Sequence, residues 1–118
     1  MTLSTHVLDA ALGQPAAGVP VRLERHKPPE RPEAGGSWVT VAAGVTGADG
    51  RLADWDPTVR LAGGLHRLTF DTGAYFGGRG VTAFYPEVVV TFRIDDAAGH
   101  YHLPLLLSPF AYSTYRGS

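Results

Sequence analysis

Val19, Val21 and Leu23 alternate with Pro20, Arg22 and Glu24, and this two-residue period puts the apolar set on one face of an extended chain. Runs of this kind recur along the sequence, each cut short by Gly, Pro or Asp-Gly, so the chain is restricted to short strands joined by turns. SWVTVAAGVT is rich in β-branched and aromatic residues and ends at TGADG, where Asp49-Gly50 supplies a tight turn. Leu65 to Asp71 follows the Gly63-Gly64 turn. Glu87 to Ile94, EVVVTFRI, is apolar on both faces, as expected of a strand inside a sandwich or at an interface. The turn from Asp95 to Gly99 leads into HYHLPLLL, and Pro109 separates that run from a final strand in FAYSTYR. With LSTHVLD near the start, about seven or eight strands emerge at sandwich spacing. Pro20 cannot donate to a ladder, so its strand begins or lies at an edge there. Only DTGAYF, with Asp71 or Thr72 as cap, predicts a short helix before GGRG. The expected fold class is all-β.

A chain of 118 residues has the size of one compact domain, so residues 1–118 are expected to form a single unit. Its core is modest, which keeps oligomerisation open. With 10 basic and 11 acidic residues the formal charge is −1, which offers no general attraction to nucleic acid or an anionic membrane. The absence of cysteine removes disulfides, thiolate metal sites and cysteine nucleophiles, and a reducing compartment is compatible. MTLSTHVLDAALGQP has neither the basic start nor the apolar run of a secretory signal. The longest aliphatic patch, Leu103 to Leu107, is far below the ~20 residues of a membrane span. A cytoplasmic protein without nucleic-acid or membrane partners is the expectation.

Candidate chemistry rests on histidine. His26 and His66 read as structural, one bordering the polar loop Lys27 to Gly36 and the other two residues past a glycine turn. His100 and His102 share one face of a strand, with Tyr101 and Leu103 on the other. Such a pair is either two legs of a metal site needing a third ligand, or the setting of a general base. His6 shares a strand face with Ser4 and Leu8, and Arg51 follows the Asp49-Gly50 turn; locally both are ordinary residues. The tail, with Tyr112, Tyr115, Arg116 and Ser118, reads either as a docked terminus, as at a subunit interface, or as an edge strand with a polar stub. No Gly-rich phosphate loop or GxSxG elbow is present.

LSTHVLDAALGQPAAGVPVRLER, TGADGRL, GLHRLTFDTGAYF, FYPEVVVTF and HYHLPLLLSPFAYSTYRGS occur in that order and span nearly the whole chain. Together they resemble the 5-hydroxyisourate hydrolases, also called transthyretin-like proteins. YRGS is the most specific element, and LSTHVLD with the HYH-x-PLLLSP run is nearly as telling. The resemblance implies a transthyretin-like β-sandwich of two four-stranded sheets with one short helix before EVVVTF. It also implies a homotetramer with active sites at the dimer–dimer interface. Carried over position by position, the family's site falls on His6, Arg51 and His102, and on the tail Tyr115, Arg116, Gly117 and Ser118. The implied reaction is hydrolysis of a ring amide of 5-hydroxyisourate to 2-oxo-4-hydroxy-4-carboxy-5-ureidoimidazoline, with no metal and no cofactor.

The implied roles make His6, Arg51, His102 and Ser118 catalytic, and let His6, Arg51, Tyr115, Arg116 and Gly117 bind substrate. One of His102 and His6 is the base and the other orients or donates a proton, while Arg51 holds the ring oxygens with its planar fork. Ser118 orders water or substrate by hydrogen bonding, since no Ser-His-acid pattern is visible. The rivals are a non-catalytic carrier on the same fold and an immunoglobulin-like structural domain.

Overall fold

A computed structural model describes residues 2–31, 33–55, 59–96 and 98–118. The strands are β1 (Thr2–Asp9), β2 (Gln14–Pro15), β3 (Pro20–Lys27), β4 (Ser37–Val45), β5 (Arg51–Leu52), β6 (Gly64–Phe70), β7 (Val88–Ile94), β8 (His100–Leu107) and β9 (Tyr112–Thr114); helix α1 is Thr72–Gly78. They form a sheet of five strands, β2-β1-β8-β9 with β5 also on β1, and a sheet of four in the order β4-β3-β6-β7. An all-β sandwich with one helix is therefore present, and one sheet carries a fifth strand beyond the expected four. The reason is that β8 runs parallel to β1 along its whole length, Thr2 to Asp9. β2 and β5 then share the other edge of β1, β5 opposite Thr5 and His6, β2 opposite Leu8 and Asp9. Two short strands in series do the work of one, so the sheet stays four strands wide.

β1 alternates as the two-residue period requires: Leu3, Thr5, Val7 and Asp9 are buried, whereas Ser4, His6 and Leu8 are half-buried on the opposite face. Leu3 and Val7 join Val21, Leu23, Leu68, Phe70, Leu103, Leu105 and Leu107 in the core between the sheets. Each such side chain contributes roughly 1.5–3 kcal/mol on leaving water. β3 does begin at Pro20, but it is an interior strand. β7 is instead the edge of its sheet; Val88 and Ile94 are buried while Val89 stays exposed, so the second apolar face of EVVVTFRI has no cover within one chain.

Asp71 caps α1, its Oδ1 accepting from Ala74 N at 3.0 Å. The helix passes through Gly77 and Gly78 rather than stopping before them, and closes at Arg79. Tyr75 of α1 donates to Asp9 Oδ2 at 2.7 Å across the sandwich. Burial first, and then the Asp9 carboxylate, push the Tyr75 phenol up to about 12, so it remains a donor. The other Asp9 oxygen accepts from Ala11 N and Leu12 N, both at 3.0 Å, and so fixes the turn that ends β1.

Candidate active site

The solvent side of β1 and its neighbours collects the polar residues singled out by sequence. Antiparallel pairing sets Arg51 of β5 directly across from His6 of β1. Parallel pairing sets His102 of β8 across from Ser4, one step along the same face from His6. Strands lie about 4.8 Å apart and alternate residues about 6.6 Å apart, so the three side chains can reach one small molecule.

Hydrogen bonds fix both imidazoles. His6 Nε2 lies 2.9 Å from the backbone oxygen of Asp49. A carbonyl only accepts, so Nε2 carries a proton and Nδ1 is the remaining acceptor of the neutral ring. His102 Nδ1 lies 2.8 Å from Ser4 Oγ, and its Nε2 has no hydrogen-bond partner in the chain among the described residues. His100 makes the matching contact two register positions earlier, on the same face, through Nδ1 to the hydroxyl of Thr2.

The turn before β5 positions Arg51. Asp49 Oδ1 accepts from Arg51 N at 3.0 Å, and Asp49 Oδ2 lies 3.9 Å from Arg51 Nε, a loose, exposed pair. Gly50 has φ of +77°, and a Cβ there would meet Val7 O at 2.4 Å. Only glycine lets this turn press against β1, where Val7 N donates to Gly50 O at 2.8 Å.

Burial holds the His102 pKa below the ordinary imidazole value; the Ser4 backbone opposes this, and the charges of Arg51, His6 and His100 reinforce it. A neutral ring at neutral pH follows.

The tail meets this face through Gly117, whose N donates to His102 O at 2.8 Å. A Cβ at Gly117 would lie 2.5 Å from His102 Cδ2, so the backbone passes directly against the ring. Tyr115 and Arg116 are placed elsewhere. They line a cavity of about 290 Å³ with Tyr101, Leu103, Val90 and Phe92, on the side of β8 away from the imidazoles. Arg116 stacks its guanidinium 4.7 Å from the Tyr101 ring centroid. Ser118 is exposed beside Gly117 and has no imidazole or carboxylate hydrogen-bonded to it among the described residues.

No group of three or more His, Cys, Asp or Glu stands together among the described residues, so His100 and His102 lack a third ligand within one chain. A cavity of about 480 Å³ borders Arg51 and is lined also by Asp49, Leu52 and Asp54. A further one, of about 600 Å³ between Pro20, Arg22, Val45 and Glu87, contains no histidine. The imidazoles themselves lie on an open face. Of the two histidines read as structural, His66 is fully buried and His26 packs edge-on to Trp38. Ser4 and Asp49 are partners of the site that the local sequence does not reveal. Ser4 shares the strand period of His6 and was visible, but the pairing of β1 with β8 that gives it meaning was not.

The sequence model of the HIUase/Transthyretin family matches residues 3–117. The 5-hydroxyisourate hydrolase of Salmonella typhimurium is 43% identical over 98% of this chain and 80% of its own length. The structure of Klebsiella pneumoniae 5-hydroxyisourate hydrolase superimposes with a TM-score of 0.80 at 41% identity, covering 100% of both chains. Sea bream transthyretin in complex with thyroxine gives a TM-score of 0.84 at 33% identity, over 99% of this chain and 95% of that one.

Proposed function

The chain belongs to the HIUase/Transthyretin family, and from that membership we propose that it hydrolyses 5-hydroxyisourate in urate degradation, using its own side chains alone. The observation that carries the reading is the gathering of Arg51, His6 and His102 on three adjacent strands, facing away from the core.

Opening a ring amide adds water across a C–N bond. It needs a base for the water, donors for the developing oxyanion and a proton for the leaving nitrogen. His102, held neutral and with Nε2 unengaged, takes the proton from water. Arg51 directs its donor fork at the ring oxygens. His6, anchored through Nε2, orients the substrate and in its protonated form donates from Nδ1. Gly117 lets the tail lie against the base, and Ser118 orders water by hydrogen bonding. Among the described residues no base is hydrogen-bonded to its hydroxyl, which favours this role over nucleophilic attack. Arg116 acts by docking the tail that carries Gly117 and Ser118, through its stack on Tyr101, and Tyr115 lines the same cavity beside it.

The functional particle is a homotetramer with its sites at the dimer–dimer interface. An uncovered catalytic face supports this, as do Leu12, Phe84 and Phe110, which are 56%, 70% and 68% exposed. The compartment is the cytoplasm, with which a cysteine-free chain is compatible. Among the described residues no helix is long and apolar enough to cross a membrane.

The test is decay of 5-hydroxyisourate, made fresh from urate, measured against the spontaneous rate with and without chelator. Fast decay that survives chelation and is lost in folded His102→Ala supports the reading. Decay no faster than the blank would favour a carrier on the same fold.

A further inference from the structure

We propose, resting on the hydrolase reading above, that Ser4 is a positioning residue: its hydroxyl accepts from Nδ1–H of His102 and so aims the Nε2 lone pair at the open face. The first support is register. Parallel pairing of β1 and β8 makes Ser4 and His102 direct neighbours, with Oγ 2.8 Å from Nδ1. The partner of one imidazole nitrogen sets the tautomer and direction of the other.

A hydroxyl can donate or accept, so the direction of this bond needs its own support. The base role assigned to His102 needs a lone pair on Nε2, which has no hydrogen-bond partner among the described residues. A proton on Nδ1 is consistent with that, and it leaves the lone pair on Nε2. The ring is also held from the other side. Gly117 approaches Cδ2 so closely that a methyl group there would stand 2.5 Å away. The imidazole is thus wedged between the Ser4 hydroxyl and the tail backbone.

His6 is held the opposite way, through Nε2 on the Asp49 carbonyl, so the two imidazoles present different nitrogens to the same space. Thr2 and His100 repeat the hydroxyl–Nδ1 contact two register positions earlier, which indicates that a threonine at position 4 would serve equally. Facing His102 are His100 on its own strand, His6 on β1 and Arg51 on β5; Arg116 of the tail reaches only the His100 carbonyl, at 3.5 Å. None of these supplies an acceptor to Nδ1 in place of Ser4.

The experiment compares wild type, Ser4→Ala, Ser4→Thr, His102→Ala and the Ser4→Ala/His102→Ala double variant in the decay assay. ¹⁵N NMR of the His102 ring serves as a readout independent of turnover. Ser4→Ala is expected to lose about tenfold in kcat with KM within about twofold, the scale of one hydrogen bond. Ser4→Thr should restore most of the rate, and Ser4→Ala should add no loss on top of His102→Ala. The neutral ring should carry its proton on Nδ1 in wild type and become a tautomer mixture in Ser4→Ala. Full kcat in Ser4→Ala overturns the proposal, and so does a loss that persists in the double variant, because that loss is structural. If wild type itself has no activity the hydrolase reading fails. The ring spectra then decide Ser4 alone, an unchanged tautomer in Ser4→Ala overturning its role.

Discussion

Gly117→Ala tests the tail and the imidazole together. Gly117 is not among the glycines of positive φ, so the demand for glycine there is one of space. An alanine Cβ would fall 2.5 Å from His102 Cδ2, 3.3 Å from its Cγ and 3.3 Å from Pro104 Cγ. Carbon atoms rest at about 3.5–4.0 Å, so the contact must open by about 1 Å. Pro104 is buried and rigid, which leaves two ways to give. The tail lifts, losing the bond from Gly117 N to His102 O, or the ring turns, losing Ser4. Displacement of about 1 Å at a catalytic group costs on the order of 10²-fold. The expected fall in kcat/KM is therefore between about tenfold and a hundredfold. It appears in KM if the tail lifts and in kcat if the ring turns. The tail buries little, so Tm should move by less than about 2 °C. Steady-state decay of 5-hydroxyisourate beside a thermal melt checks both. Wild-type kcat/KM in folded Gly117→Ala would refute the reasoning, because the tail could not then be packed on a working imidazole.

Two predictions concern the scaffold, each read from melts at fixed protein concentration because assembly shifts Tm. Glu24 is buried under Arg67, which donates from Nε and Nη2 at 3.1 Å each, with the Thr69 hydroxyl at 2.9 Å and Arg22 at 3.3 Å. Arg67→Met should cost about 2–3 kcal/mol, softened by the remaining Arg22, or roughly 8–12 °C in Tm; a shift under about 2 °C would contradict it. His66 is fully buried, with Nε2 lacking a hydrogen-bond partner among the described residues and Nδ1 on the Gly64 carbonyl at 3.1 Å. Burial, with the Arg25 charge in support, holds its pKa below the ordinary 6.5 against the raising effect of that carbonyl. The unfolded chain then takes the proton first, so this stability is whole above about pH 6.5 and falls as pH drops below it. His66→Leu should flatten Tm between about pH 5 and 6.5; an unchanged slope assigns it to other groups.

Alternation made most of the fold legible, because a strand with one face in the core must show period two. Leu3, Thr5 and Val7, and likewise Val21 and Leu23, are on the faces that the pattern assigns. The pattern failed where pairing overrode it. Two-residue strands at Gln14–Pro15 and Arg51–Leu52 are too short for any periodicity, and exist because β1 offers them an edge. Glu24 is on a polar position yet buried, since the ladder shifts register between Leu23 and Glu24 and Arg67 covers the carboxylate. In the candidate site His6, Arg51 and His102 came from family resemblance, and their convergence was beyond local reading. It requires the antiparallel pairing of β1 with β5 and the parallel register of β1 with β8, the latter joining residues nearly a hundred positions apart. For the same reason Ser4 and Asp49 were invisible as partners, and Tyr115 and Arg116 were not separable from Gly117.

The alternation of β1 and β8 also separates two texts written at one-residue spacing. Leu3, Thr5, Val7, Tyr101 and Leu103 spell the fold, and Ser4, His6 and His102 spell the proposed chemistry. Outward letters can be rewritten without touching inward ones, so one sandwich can host a hydrolase and a thyroxine-bound relative at 33% identity. The same interleaving makes the strands intolerant of frame. A one-residue deletion between Leu3 and Val7 would turn imidazole toward the core and aliphatics toward solvent, erasing both texts at once.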